Sequence, residues 1–186
     1  MSAEDRRSHI LDAVVPLLMK HGADVTTRQI AEAADIAEGT IFRAFADKDE
    51  LIDQAVMRFM DPEVTFALIE DIDPALPVQD KVSEVVDIFR RRSEGMVGMM
   101  SAVGHRKRLH ANHEEVHARA DVRGAEVFTR LFAADEDALR IDRSLAALFM
   151  RVLGYGASIP FFTSQRDVTT DEIVDFVMRG ILKEGN

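Results

Sequence analysis

Apolar residues recur at helical spacing through nearly the whole chain. Ile10, Leu11, Val14, Leu17 and Leu18 share one face of a first helix predicted from about Asp5 to His21. It stops at Gly22, a residue suited to a left-handed C-cap. Pro16 removes one backbone donor and crowds the carbonyl of Asp12, which predicts a kink or break. The second helix opens on a capping box, Thr26 with Gln29, and carries Ile30, Ala31 and Ala34 on one face. It ends in a three-residue turn, Asp35-Ile36-Ala37. Asp35 stands where glycine would be easiest, and aspartate is among the few other residues that tolerate a left-handed backbone. A short third helix follows from about Glu38 to Phe45. Asp47 with Glu50 predicts another capping box, opening a fourth helix through Leu51, Ile52, Ala55, Val56 and Phe59 to about Met60.

After Asp61-Pro62 the pattern changes scale. An irregular segment is predicted near Glu70 to Val78, where Pro74 and Pro77 fall. A long helix runs from about Val78 to Val103, another from about Glu114 to Ala133, and a polar loop covers 134–142. The last two helices are predicted from about Arg143 to Phe162 and from Thr170 to Leu182, the second behind a Thr169–Glu172 capping box. No alternating strand, internal repeat or low-complexity segment is present. The expectation is an all-α fold with two parts: residues 1–60, and a helical bundle over 61–186.

The penultimate helix is apolar nearly all round, through Leu145, Leu148, Phe149, Val152, Leu153, Gly156 and Ile159, and the last carries Ile173, Val174, Phe176, Val177 and Ile181. A helix apolar on two faces needs two partners. The simplest second partner is the same pair in another copy. That predicts a two-fold homodimer interface of Leu145, Phe149, Val152, Leu153, Gly156, Ile159, Ile173, Val177 and Ile181. Full burial inside one large domain is the alternative. Phe89, Met96, Met99, Met100, Val103, Phe128, Phe132 and Met150 read as core, and as candidates to line a ligand cavity, because methionine adapts to irregular shapes. Such a lining would suit an apolar or aromatic small molecule. Arg90-Arg91-Arg92 reads as a solvated charge run, with one arginine as a candidate holder of an anionic ligand.

Composition narrows the class. The 186 residues are 47% hydrophobic and 30% charged, ordinary for a globular protein. No run approaches a transmembrane length, and the acidic start predicts no secretory signal. With no cysteine, disulfides, zinc-thiolate sites and thiol catalysis are excluded, and the cytoplasm is the expected compartment. The net charge is −10, and the first sixty residues hold seven Lys/Arg against eleven Asp/Glu. Any nucleic-acid contact must therefore come from a few basic side chains and helix ends on one face, and must be salt-sensitive.

Two helices joined by a three-residue turn, the second exposed, make a helix-turn-helix. In the stretch Thr26–Phe45, Ala31 is small where the helices cross, and Ile30, Ile36, Ile41 and Phe45 form the wedge that fixes their angle. Glu38, Gly39, Thr40, Phe42, Arg43 and Ala44 are left outward, able to enter a major groove about 12 Å wide.

These residues resemble the DNA-binding domain of the tetracycline-repressor (TetR) family. The resemblance covers about Ile10 to Val56 and rests on His21-Gly22, Thr26-Thr27-Arg28-Gln29-Ile30-Ala31, Gly39-Thr40-Ile41-Phe42-Arg43-Ala44-Phe45 and Lys48-Asp49-Glu50-Leu51. Met178–Leu182 is similar to the family's last helix. The resemblance implies a ligand-responsive regulator that binds a palindromic operator in double-stranded DNA as a homodimer. It implies that Thr40 and Arg43 touch bases or adjacent phosphates and that Phe42, in a position usually Tyr, packs its ring on the backbone. It also implies that Lys48 and Thr26, Thr27 and Arg28 meet phosphates. Three positions depart from the family pattern. Ala37 replaces a capping Ser, Ala44 replaces a second aromatic, and Glu38 would either repel phosphate or accept from a cytosine amino group.

A rival reading rests on His110, His113 and His117, spaced i, i+3, i+7, which one helical face could present to a metal. The neighbouring Arg106, Lys107, Arg108 and Glu115 favour a solvated polar helix start instead. No Ser/His/Asp arrangement, phosphate-binding glycine loop or paired-carboxylate helix pattern supports catalysis, so no enzyme, cofactor or metal is expected.

Overall fold

A computed structural model describes residues 2–104, 113–164 and 166–182, the side chains of 113–119 excepted. Ten α-helices occur among the described residues: α1 (Ala3–His21), α2 (Thr27–Ala33), α3 (Glu38–Ala44), α4 (Lys48–Met60), α5 (Pro62–Glu70), α6 (Val78–Val103), α7 (His113–Leu131), α8 (Arg143–Ala157), α9 (Pro160–Thr163) and α10 (Thr170–Ile181). The only pairing of extended backbone among them is an isolated antiparallel bridge, Leu139 with Leu182. The fold is all-α, with a helix-turn-helix at its N-terminal end and a helical bundle after it.

The chain forms two compact units. One comprises Met1–Asp61 and Met96–Ala111; the other comprises Pro62–Gly95 and Asn112–Asn186. Residues 96–104 thus group with the first, beyond a division drawn after residue 60. The physical reason is burial: Met99 and Val103, on the last turns of α6, join the core of Ile10, Val14, Leu18, Ile30, Ile41, Leu51 and Val56. Gly22, which ends α1 at φ +60°, lies so close to this stretch that a Cβ there would stand 2.4 Å from the Ala102 carbonyl oxygen. Only glycine satisfies both demands.

Local signals explain most helix ends. The Thr26–Gln29 and Thr169–Glu172 capping boxes are both complete, and a further one, Ser2–Asp5, starts α1 earlier than its apolar pattern does. Asp47 caps α4, but Glu50 does not return the bond to Asp47. Its carboxylate takes the Ala46 N–H at 2.6 Å and the Arg7 guanidinium instead. Pro16 sits inside a continuous α1 instead of breaking it, because one lost backbone bond is outweighed where Ile10, Leu11, Val14 and Leu18 are buried. The predicted helix to Phe162 is divided. Pro160 forces Ile159 into extended backbone (φ −101°, ψ 110°), which ends α8 and starts α9.

The second unit packs α5, α6, α7, α8 and α10 around Phe66, Val82, Val86, Phe89, Val127, Phe128, Phe132, Met150, Ile173 and Val177. Phe89, Phe128 and Phe132 stack in series at centroid distances of 6.3 Å. Of the arginine run only Arg91 lies on a solvated face. Arg92 is buried and bonds Thr65 at 3.1 Å, and Arg90 reaches Thr170 at 2.7 Å, tying α6 to the start of α10. Lys81 is buried, paired with Asp135 at 2.7 Å.

Gly154 permits a close crossing of α6 and α8. A Cβ there would lie 2.7 Å from the Phe89 Cβ and 3.3 Å from the Val86 carbonyl oxygen. Gly154→Ala is expected to lower unfolding free energy by about 1–3 kcal/mol in urea denaturation, because neither neighbour can swing aside. An unchanged midpoint would mean that α6 and α8 separate freely.

Candidate nucleic-acid interface

The turn between α2 and α3 is built from backbone bonds. Ala34 N–H donates to the Ile30 carbonyl at 2.9 Å and Ile36 N–H to the Ala31 carbonyl at 3.0 Å, while Asp35 takes the left-handed conformation at φ 51°. Ala31 is buried at the crossing, and Ile30, Ile41 and Phe45 are buried beneath, with Ile36 packed against them. The inner side of α3 is thereby fixed. Its outer side presents Glu38, Gly39, Phe42 and Arg43 as exposed residues, with Thr40 and Ala44 half-buried. Phe42 is 53% exposed, a large ring left in solvent. The N-cap Ala37 supplies no side-chain acceptor.

Arg7, which the sequence reading did not single out, holds this arrangement. Its Nε donates to Gln54 at 3.0 Å, one terminal nitrogen to Glu50 at 3.0 Å and the other to the Ala44 carbonyl at the end of α3. The same guanidinium lies over the Phe45 ring, 4.4 Å from its centroid. His9, two residues on, has its Nε2 2.8 Å from the Ala34 carbonyl at the end of α2. One stretch of α1 therefore reaches the last carbonyls of both helices of the motif, where a donor or cation is favoured. The available signal was positional: Arg7 continues the Ile10/Leu11–Val14–Leu18 stripe one turn toward the N-terminus.

The remaining candidates divide by what they already hold. Thr26 spends its hydroxyl on the Gln29 side chain at 2.9 Å. Thr27 donates to Glu38. Arg28 pairs with Glu32 at 2.9 Å, and that bond raises its pKa above the usual arginine value. Both partners are largely exposed, so the pair is weak and Arg28 can exchange Glu32 for another anion. Lys48 donates to the Ala23 carbonyl at 2.8 Å, which leaves two of its three N–H groups. A shallow concavity of about 670 Å³ beside the turn is lined by Arg28, Ala31, Glu32, Asp35, Ile36, Ala37 and Glu38.

The other predicted sites fare differently. Met99 and Val103 lie in the first unit's core, whereas Phe89, Phe128, Phe132 and Met150 lie in the second's, so the eight candidate lining residues do not belong to one core. Met96 and Met100 also fall in the first unit, half-buried and exposed respectively. Ile173, Val177 and Ile181 are buried within their own unit and cannot face a second copy; α10's exposed apolar side chain is Phe176. Their spacing marked a buried face, and that face is covered by the chain itself. Phe149 and Val152 on α8 are exposed, as is Leu148, while Leu145, Leu153 and Gly156 are half-buried and Ile159 sits in the break after α8. His110 lies outside the described residues, as do the side chains of His113 and His117. Among the described residues no group of three or more His, Asp or Glu is placed to hold a metal. No described helix is long and apolar enough to cross a membrane.

Glu50 gives a pH test of the clasp. The Ala46 N–H bond first, and the Arg7 bond second, hold its carboxyl below the ordinary glutamate range. A depressed native value adds stability above the unfolded value, and that stability is lost as pH falls through the native one. Acid unfolding of Glu50→Gln should therefore depend less steeply on pH below the ordinary glutamate range than that of the parent. Coincident pH profiles would mean that Glu50 does not hold Arg7 in solution. Arg7→Met should cost about 1–3 kcal/mol in the same assay, since it orphans Glu50 and the Ala44 carbonyl.

Comparison with known proteins fits this geometry. Residues 10–55 match the family described as bacterial regulatory proteins, tetR family. The HTH-type transcriptional repressor KstR of Rhodococcus jostii (strain RHA1) is 43% identical over 56 residues, 30% of this chain and 26% of that protein. The uncharacterized HTH-type transcriptional regulator YvkB of Bacillus subtilis (strain 168) is 49% identical over 45 residues, 24% of each. The match spans about a quarter of the length of these curated relatives. Over nearly the whole chain the likeness is one of fold. Salmonella enterica GusR superposes with a TM-score of 0.57 at 19% identity, covering 96% of this chain and 95% of its own. A regulatory protein in the tetR family from Rhodococcus RHA1 gives 0.53 at 21%, covering 94% and 95%.

Proposed function

We propose that the chain, whose residues 10–55 match the tetR family of bacterial regulatory proteins, is a cytoplasmic transcriptional repressor of that family, binding a palindromic operator as a homodimer and leaving it when a small molecule binds. The observation that carries the reading is α3, whose Ile41 is buried and whose Phe45 cap is buried after it, while Gly39, Phe42 and Arg43 stand in solvent. A helix locked on one side and bare on the other suits insertion into a major groove. Arg43 and Thr40 would reach base edges or the phosphates beside them, and Phe42 would pack on the sugar-phosphate backbone. Arg28 and Lys48 would take phosphates, Arg28 by giving up Glu32.

The first unit then reads DNA, and the second senses and pairs. Pairing would use the exposed Leu148, Phe149 and Val152 of α8 with Phe176 of α10, an apolar patch that a second copy related by a two-fold axis can cover. Two recognition helices would enter successive major grooves about 34 Å apart. The ligand would be apolar or aromatic and would enter among Phe89, Phe128, Phe132 and Met150 by displacing part of that packing. Its preference for one arrangement of the pair would shift the population away from DNA.

Selection from random DNA followed by gel shift at low salt tests the reading. Enrichment of a palindrome is expected, and no retardation at low salt would sink the proposal. Arg43→Ala should weaken the selected site by about 1–3 kcal/mol, roughly 5- to 150-fold, without loss of helical circular dichroism. Val152→Asp should sediment as a monomer and lose the palindrome while keeping its helices; a variant that still sediments as a dimer would place the interface elsewhere.

A further inference from the structure

The outer face of α3 carries an acid where DNA is most negative, and the contacts proposed above leave it without a role. Glu38 is the first residue of α3 and is exposed. Its Oε1 accepts the hydroxyl proton of Thr27, eleven residues earlier at the start of α2. A threonine hydroxyl has a single hydrogen. With that hydrogen on Glu38, Thr27 cannot also donate to a phosphate, which only accepts. Thr27 therefore holds Glu38 in place, which differs from the phosphate contact that the family resemblance implies. The carboxylate offers about four lone-pair sites, and this bond uses one.

We infer, on the reading of α3 as the recognition helix, that Glu38 selects cytosine at one position of each half-site, with Thr27 as its positioning residue. A carboxylate can only accept. In the major groove the phosphates, guanine N7 and O6, adenine N7 and thymine O4 are acceptors and repel it. The groove's hydrogen-bond donors are the cytosine N4 and adenine N6 amino groups. Beside the adenine amino group stands N7, which the carboxylate would also meet, whereas beside the cytosine amino group stands a carbon-bound hydrogen. Gly39, the next residue, has nothing within 4 Å of the position a Cβ would take, so the surface of α3 beside Glu38 is open there. The first sixty residues hold seven Lys/Arg against eleven Asp/Glu, so indiscriminate attraction there is weak, and an acceptor opposite Glu38 would meet a negative charge.

The test is selection from random DNA with the full chain and with Glu38→Gln, Glu38→Ala and Thr27→Val, each checked for helical content. The parent should enrich cytosine at one position per half-site. Glu38→Gln should move that position toward adenine, because an amide supplies the acceptor and donor that match N6 and N7. Glu38→Ala should level that position alone, and Thr27→Val should blur it at unchanged preference elsewhere. An operator bearing N4-methylcytosine there, which loses the groove-facing amino hydrogen, should bind the parent about tenfold more weakly and Glu38→Ala no differently. If Glu38→Ala instead tightens every sequence equally with no change of base preference, Glu38 is only a repulsive charge and the inference falls. Absence of any enrichment by the parent would remove the recognition-helix reading itself, and this inference with it.

Discussion

A helix of seven residues cannot hold itself together in water, because nucleation costs more than so few backbone bonds return. α3 therefore exists by virtue of what its inner side is pressed against. Ile41 and the Phe45 cap are sunk in a core supplied by α1, α2 and α4, and Arg7 closes the far end by bonding the Ala44 carbonyl while its guanidinium covers the Phe45 ring. Remove that clasp and the last carbonyls of α3 lose their partner in a half-buried setting, where water serves them poorly. The left-handed Asp35 performs the complementary task at the near end: it turns the chain so that Ile36 and Ile41 fall on the same side as Ile30. Everything attributed to the outer face presumes these inner constraints.

Signals confined to a few neighbouring residues were legible. Thr26 with Gln29 and the left-handed Asp35 could be read because each feature depends on its own turn. Signals that depend on distant partners were not. The bonds of Arg7 span 37, 43 and 47 residues, and nothing local distinguishes it from Arg6 except its place on the buried stripe. Glu50 looked like the second half of a capping box, yet an arginine two helices away and the Ala46 amide claim its carboxylate. Periodicity states that a helix has an apolar face without saying what covers it. Ile173, Val177 and Ile181 were assigned to a second copy for that reason, although their own unit buries them. The prolines divide the same way: Pro16 is overruled by burial, whereas Pro160 prevails beside exposed Phe161 and Phe162, where little packing opposes it.

The second unit spends its polar residues inward. Arg90 and Arg92 belong to a run that suggests a charged surface, but they are drawn to Thr170 and Thr65, and the buried Lys81 likewise to Asp135. Such bonds do little for net stability, since desolvation consumes most of the gain, but a wrong register would leave a cation stranded. They define which faces of α6, α8 and α10 meet, and so which apolar side chains are left over on the outside of α8 and α10.

The division of labour within α3 bears on how such a chain can change over generations. Gly39, Phe42 and Arg43 take little part in the packing beneath them, so replacements there should leave folding close to intact. Proteins persist by staying above a stability threshold, and positions that do not draw on that margin are free to drift. A lineage could therefore acquire a new target sequence by altering two or three outward side chains, with the scaffold that presents them inherited unchanged. Glu38 is the exception, since Thr27 must change in step with it.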